Sequence, residues 1–167
     1  GMEIKTYTES LTVMETERLI IRKIIRKDMG ELFALMSKPE VMYAWEHGFE
    51  KKEVRQWLNR QLTRYRKDGY GYFAVILKEN NKFIGQAGLM RSVIDGNSTV
   101  ELGYMLDNVY RHHGYATEAA RRCLQYAFEE LGLQEVCCSI RPENPPSIRV
   151  AEAIGMIPCG SHTIVYN

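Results

Sequence analysis

The sequence has no run of ~18 apolar residues and no apolar stretch near its beginning like that of a secretion signal, so neither a membrane span nor a signal peptide is expected. It also lacks an excess of either charge. Its 22 Lys and Arg oppose 21 Asp and Glu, for a net charge of +1, which gives no case for a general nucleic-acid or membrane partner. The basic clusters Arg22-Lys23, Arg26-Lys27 and Arg64-Tyr65-Arg66-Lys67 read as solvated faces. The 4 cysteines, Cys123, Cys137, Cys138 and Cys159, show neither a C-x-x-C pair nor the spacing of a disulfide framework. Reduced thiols and a cytoplasmic location are the simple expectation. No Gly-Lys-Ser/Thr ending and no G-x-G-x-x-G occurs, which counts against a nucleotide-binding domain. His112-His113 lacks a third ligand at suitable spacing, so no metal is expected. Repeats, low-complexity tracts and linkers are missing too. The 167 residues suffice for one core without staples or metal, so a single domain is expected over 1–167, with 1–15 a loose arm and Gly1 a cloning remnant.

What is present centres on Leu102 to Leu131. After Gly114, apolar or small residues recur at Ala116, Ala119, Ala120, Cys123, Leu124, Ala127, Phe128 and Leu131, the spacing of one buried helix face. Glu118, Arg121, Arg122, Gln125, Glu129 and Glu130 lie opposite. The N-terminus of such a helix carries N–H groups without intrahelical partners and the positive end of the macrodipole, which makes it a ready anion site. Gly114 and Ala116 present minimal side chains there, so a phosphate can approach the amides, and Arg111 adds a fork-shaped cation.

In chain order, Arg18 to Ile25 reads as a first strand. Asp28 and Glu31 form a capping-box-like start to a short helix ending near Pro39. Lys51 to Lys67 is a second helix, stopped by Asp68-Gly69. Tyr70–Lys78, Lys82–Arg91 and Thr99–Leu106 follow as three antiparallel strands, turning at Glu79-Asn80-Asn81 and Asp95-Gly96-Asn97. After the central helix and Gly132, Glu135–Ile140 is a short buried strand whose helical connection implies parallel pairing. Arg141-Pro142-Glu143 is a break. Asn144 then caps a last helix that has Pro145 in its first turn and ends at Gly155, and Met156 to Asn167 suffice for one more strand. The order β, α, α, β, β, β, α, β, α, β is a mixed α+β fold, largely antiparallel with a central parallel βαβ unit.

The run R-H-H-G-Y-A resembles the diphosphate-binding signature of the GNAT superfamily, the acyl-CoA-dependent N-acetyltransferases, with Arg111, Gly114 and Ala116 at its fixed positions. The run N-P-P-S-I-R-V-A-E-A-I-G-M is similar to the RimJ/RimL-type branch, with Asn144, Ser147 and Gly155 in place. Thr16 to Arg22 (T-E-R-L-I-I-R) and Val100 to Leu106 (V-E-L-G-Y-M-L) resemble that branch as well. The resemblance covers roughly residues 17 to 160 and implies the GNAT fold, with a final strand that Asn167 leaves unbuilt by roughly eight to ten residues, a strand's length. That strand is expected to be missing or supplied by a neighbour, which makes a homodimer plausible.

The resemblance further implies direct transfer of an acetyl group from acetyl-CoA to a primary amine, either a protein N-terminus or a small molecule. A catalytically silent acyl-CoA-binding module is the alternative. Cofactor contacts fall on Met105, Leu106, Arg111, His112, His113, Gly114, Tyr115, Ala116, Thr117, Asn144 and Ser147. The attacking amine must be neutral although its pKa lies at about 8 to about 10, so a base is useful. Glu101 is the candidate, placed near the thioester by the resemblance; a cross-strand salt bridge is its other reading. If Val100 and Leu102 face one side, Glu101 faces the other with Gly103, whose missing side chain would open space for a ligand. Amides of Met105 and Leu106 would serve the cofactor's carbonyl or pantetheine amides. Tyr104, Ser147 and Tyr110 are proton donors for the leaving thiolate, with Ser147 taken as the catalytic one. Trp45, His47 and Tyr72 are read either as core or as an acceptor pocket.

Overall fold

The structure is a computed structural model that describes residues 11–140, 144–159 and 162–166, with backbone alone considered at 94, 158, 159 and 162–166. The sequence pattern leads to six strands, yet among the described residues eight form a single sheet: β1 Thr12–Glu15, β2 Leu19–Arg22, β3 Tyr72–Leu77, β4 Lys82–Ile94, β5 Asn97–Leu106, β6 Glu135–Ser139, β7 Ile157–Cys159 and β8 His162–Tyr166, in the order β1-β2-β3-β4-β5-β6-β8-β7. Every neighbouring pair is antiparallel except β5 with β6.

Two departures stand at the ends. Thr12–Glu15, expected in a loose arm, is a strand against β2; residues 1–10 of that arm lie outside the described residues, as does the break at Arg141-Pro142-Glu143. Where one last strand was expected, β7 and β8 form a hairpin, and β8 takes the free edge of β6 over Glu135–Ser139. The edge expected to be open is therefore filled from within the chain. Both strands are short, and their pairing partner rather than their own pattern decides them.

The helices follow the apolar spacing closely: α1 Met29–Met36, α2 Lys51–Lys67, α3 Tyr115–Gln125 and α4 Pro145–Ala153. Past Gln125 the helix widens, and Leu131 N–H reaches the Tyr126 carbonyl at 3.0 Å, one residue further back than an α-helical bond. Asp28 does not cap α1. Its carboxylate turns back to accept from the Ile25 N–H at 2.8 Å and from both terminal nitrogens of Arg22 at 2.9 Å, a bidentate pair nearly removed from solvent.

Helices cover both faces of the sheet, which is why all six residues of β3 are buried. Phe73, Val75 and Leu77 pack with Val100 and Leu102 against Ala119, Ala120, Cys123 and Leu124 of α3. Tyr72, Ala74 and Ile76 pack with Met105 against Leu32, Leu35 and Met36 of α1 and Val54, Trp57 and Leu58 of α2. Cys137 and Cys138 are both buried, and Cys138 joins the α3 face. No helix among the described residues is long and apolar enough to cross a membrane.

Candidate active site

β5 sets the geometry. Its alternation sends Val100 and Leu102 into the α3 core, while Glu101 and Gly103 share the other face. β4 runs beside β5 without interruption from Gly85–Leu106 to Ile94–Asn97, but β6 meets it only at the pair Glu101–Cys137. Beyond that bridge the two strands share no further pairing. A cavity of about 460 Å³ lies there, walled by Glu101, Gly103, Tyr104, Cys138 and Ser139 and closed by Trp45 and Tyr72.

Within it, Glu101 Oε1 accepts from Ser139 Oγ at 2.6 Å. Among the described residues Glu101 has no cation partner, so the cross-strand ion-pair role has no support there. The space over Gly103 is not free for a ligand. A Cβ on Gly103 would sit 1.9 Å from the Tyr72 hydroxyl oxygen, so the glycine makes room for a buried tyrosine. Burial pushes the Tyr72 phenol well above its ordinary range, with nearby Cys138 and Glu101 adding to the effect. Burial, then the Glu101 charge, raises the Cys138 thiol to about 12, which leaves it protonated and inert at neutral pH.

The second element is the turn into α3. His112 and Gly114 both adopt left-handed backbone conformations, φ 69° and 79°. Glycine takes this freely, whereas for histidine it costs of order 1 kcal/mol. The first helical bond runs from Glu118 N–H to the Gly114 carbonyl at 3.0 Å, and no side chain of the described residues caps the helix. The amides of Tyr115, Ala116 and Thr117 are thus left open at the positive end of α3. Arg111, expected as a fork-shaped cation at this anion site, reaches the cavity wall and donates through Nη2 to the Glu40 carbonyl at 3.0 Å. Lys38 Nζ meets both carboxylate oxygens of Asp107 at 3.0 Å, so the chain after α1 is tied to the end of β5 at two points.

The third element is α4. Asn144 caps it as expected, its Oδ1 accepting from Ser147 N–H at 3.4 Å. Tyr104 Oη donates to the Ser147 carbonyl at 2.7 Å, which joins β5 to the first turn of α4. Burial is the main reason the Tyr104 phenol lies far above its ordinary range.

A larger cavity of about 740 Å³ runs from the α3 turn to this junction. It shares Ala44, Trp45, Tyr104, Asn144 and Ser147 with the smaller one. Met105, Leu106, Arg111, His112, Gly114, Tyr115, Ala116 and Thr117 all reach its wall. His113 does not: its carbonyl accepts from Arg18 Nη1 at 2.9 Å and its ring lies against Tyr115. Trp45 and Tyr72 reach the smaller cavity, whereas His47 pairs with Glu53 at 2.8 Å outside it. The hydrogen bond that the His47 ring gives to the Glu53 carboxylate is the main reason the ring is raised above its ordinary value.

One side chain outside the expected site residues holds the α3 turn. Arg18, in T-E-R-L-I-I-R, sends Nε to Glu118 Oε1 at 2.7 Å and Nη1 to the His113 carbonyl, and lies 4.3 Å above the Tyr115 ring. Thr16 Oγ1 donates to Glu118 Oε2 at 2.5 Å. The likeness of Thr16 to Arg22 to the RimJ/RimL-type branch is the signal in the sequence; what it serves depends on contacts about 100 positions away.

Residues 18–157 match a family model described as acetyltransferase (GNAT) domain. A Bacillus subtilis relative, the uncharacterized protein YkkB, is 36% identical over 148 residues, which cover 87% of this chain and 85% of that protein. An acetyltransferase of the GNAT family from Bacillus anthracis superposes with a TM-score of 0.76 at 31% identity, covering 92% of this chain and 97% of its own. A spermidine N-acetyltransferase from Vibrio cholerae, solved in complex with CoA and spermine, superposes with a TM-score of 0.75 over 90% and 96% of the two chains; at 18% identity that likeness concerns the fold alone.

Proposed function

The chain belongs to the GNAT acetyltransferase family, and from that premise we propose that it moves the acetyl group of acetyl-CoA directly to a primary amine held in the smaller cavity. The acceptor is a protein N-terminal amine or a small-molecule amine. The observation that carries this is the meeting of two cavities at Tyr104, Asn144 and Ser147, one reaching the open amides of α3 and the other the Glu101 carboxylate.

In this scheme the CoA diphosphate lies on the amides of Tyr115, Ala116 and Thr117, where the helix dipole favours negative charge. The thioester arm follows the unpaired side of β5, and the amides of Met105 and Leu106 serve its carbonyl and pantetheine groups. The acceptor loses a proton to Glu101, directly or through water. Its nitrogen attacks the thioester carbon, the C–S bond breaks, the leaving sulfur takes a proton from the Ser147 hydroxyl, and the serine recovers one from the acylated nitrogen, which becomes the neutral amide. Ser147 is favoured over Tyr104 because the Tyr104 proton is committed to a carbonyl, and over Tyr110 because Tyr110 lines only the larger cavity. Holding amine and thioester together supplies much of the rate by effective molarity.

The test is a mass-spectrometric screen of peptides with free N-termini, alkyl amines, polyamines and aminosugars against the protein with acetyl-CoA. An acetylated product that grows with turnover is expected; CoA binding with no product in any class would favour the silent module. With the acceptor in hand, Glu101→Gln should retain CoA affinity and lose roughly a hundredfold or more in kcat, the scale of general-base catalysis. Unchanged kinetics in that variant would remove Glu101 from the scheme.

A further inference from the structure

The turn that precedes α3 has an energetic difficulty. It holds a histidine at positive φ, no side chain of the described residues caps the helix it opens, and Glu118 brings a carboxylate into the first turn, within about 5.4 Å of rise of the same amides. Left alone, that carboxylate would oppose any anion at the helix mouth.

Arg18 meets each of these conditions. Nη1 fixes the His113 carbonyl between the two left-handed residues, at 2.9 Å. Nε pairs with Glu118 Oε1 at 2.7 Å, and the Arg18 backbone N–H donates to Oε2 at 3.0 Å, so the carboxylate is neutralised and drawn toward β2. The guanidinium covers the Tyr115 ring at 4.3 Å. It also passes beneath Gly114, where a Cβ would come 3.5 Å from Nη2. Only a planar fork makes these contacts together.

We propose that Arg18 is a positioning residue for diphosphate recognition: anchored on Glu118, it holds the 112–114 turn in its anion-binding shape and cancels the one carboxylate in the first turn of α3. This rests on the placement of CoA given under Proposed function.

The test uses calorimetric binding of CoA, with pantetheine, which lacks the diphosphate, measured by displacement of CoA. Arg18→Met should weaken CoA by about tenfold or more, the scale of a lost charge-assisted contact, and change pantetheine by under about threefold because its contacts lie along β5. Arg18→Lys should recover only part of the loss, since one ammonium cannot serve carboxylate, carbonyl and ring at once. Glu118→Gln separates positioning from plain electrostatics, and decides the matter if Arg18→Met does not fold. Removing a negative charge near the diphosphate should tighten CoA by charge alone, whereas loss of the Arg18 anchor should weaken it severalfold. Unchanged CoA affinity in a folded Arg18→Met protein, an equal loss for pantetheine, or tighter CoA binding by Glu118→Gln would overturn this inference alone. A wild-type protein that binds no CoA would overturn the cleft assignment with it.

Discussion

Tyr72 shows how a single glycine can serve the site without touching a ligand. The ring is 1% exposed and lies 4.8 Å from Trp57, and its hydroxyl fills the volume that any side chain at 103 would need. Its backbone is held as well: the N–H donates to Gln61 Oε1 at 3.0 Å and the carbonyl accepts from the Tyr65 hydroxyl. The tyrosine therefore cannot retreat, and Gly103→Ala forces either strand β5 or Tyr72 to shift. Such overpacking costs about 1–3 kcal/mol, read as a lower urea midpoint at constant m-value. Because Glu101 lies two residues away on the same face, the variant should also lose turnover. Wild-type stability in Gly103→Ala would show that the ring has slack which its packing does not suggest.

At the scale of elements, α4 is where fold and chemistry share one device. Its cap orders the first turn, and that turn carries Ser147 between the two cavities. Asn144→Ala should cost about 1 kcal/mol, the usual worth of a cap, and should lower kcat more than it raises the KM for acetyl-CoA, because Ser147 is displaced while the α3 amides are not. Equal effects on both constants would count against Ser147 as proton donor. Elements of this kind were legible in the sequence: Asn144 before Pro145, and the Lys51–Lys67 period closed by Asp68-Gly69, with Gly69 at φ 84°, are local signals that survive folding. β1 was not, and Met156 to Asn167 reads as one strand where it forms two, because strands of four, three and five residues acquire their identity from a neighbour. The site divides likewise. The α3 turn and the Glu101 face follow from local pattern, but the use of Gly103 by Tyr72, the seat of His113 outside the cleft and the Arg18 brace all depend on residues far away in the chain.

For the molecule as a whole, the Thr16-Arg18-Glu118 cluster links the entry to β2, the second strand of the sheet, to the helix that opens the cleft, so its protonation should be felt in global stability. Burial alone would raise the Glu118 carboxyl; hydrogen bonds from Thr16 and Arg18, with the Arg18 charge, outweigh it and hold the group below its ordinary 4.5. A carboxyl depressed by folding binds its proton more readily in the unfolded chain. Its contribution is therefore complete above about pH 4.5 and is lost as pH falls through the lower, folded value. Urea denaturation from pH 7 to pH 3 should show the stability gap between wild type and Glu118→Gln constant at first and closing below about pH 4.5. His47, raised by Glu53, acts in the opposite sense: its contribution is present below its ordinary 6.5 and lost as pH rises through the folded value. That change lies in a separate window and is common to both proteins, so it cancels in the difference. A gap that stayed constant down to pH 3 would mean that Glu118 carries no folded-state charge advantage, and that strand and cleft are held together by packing alone.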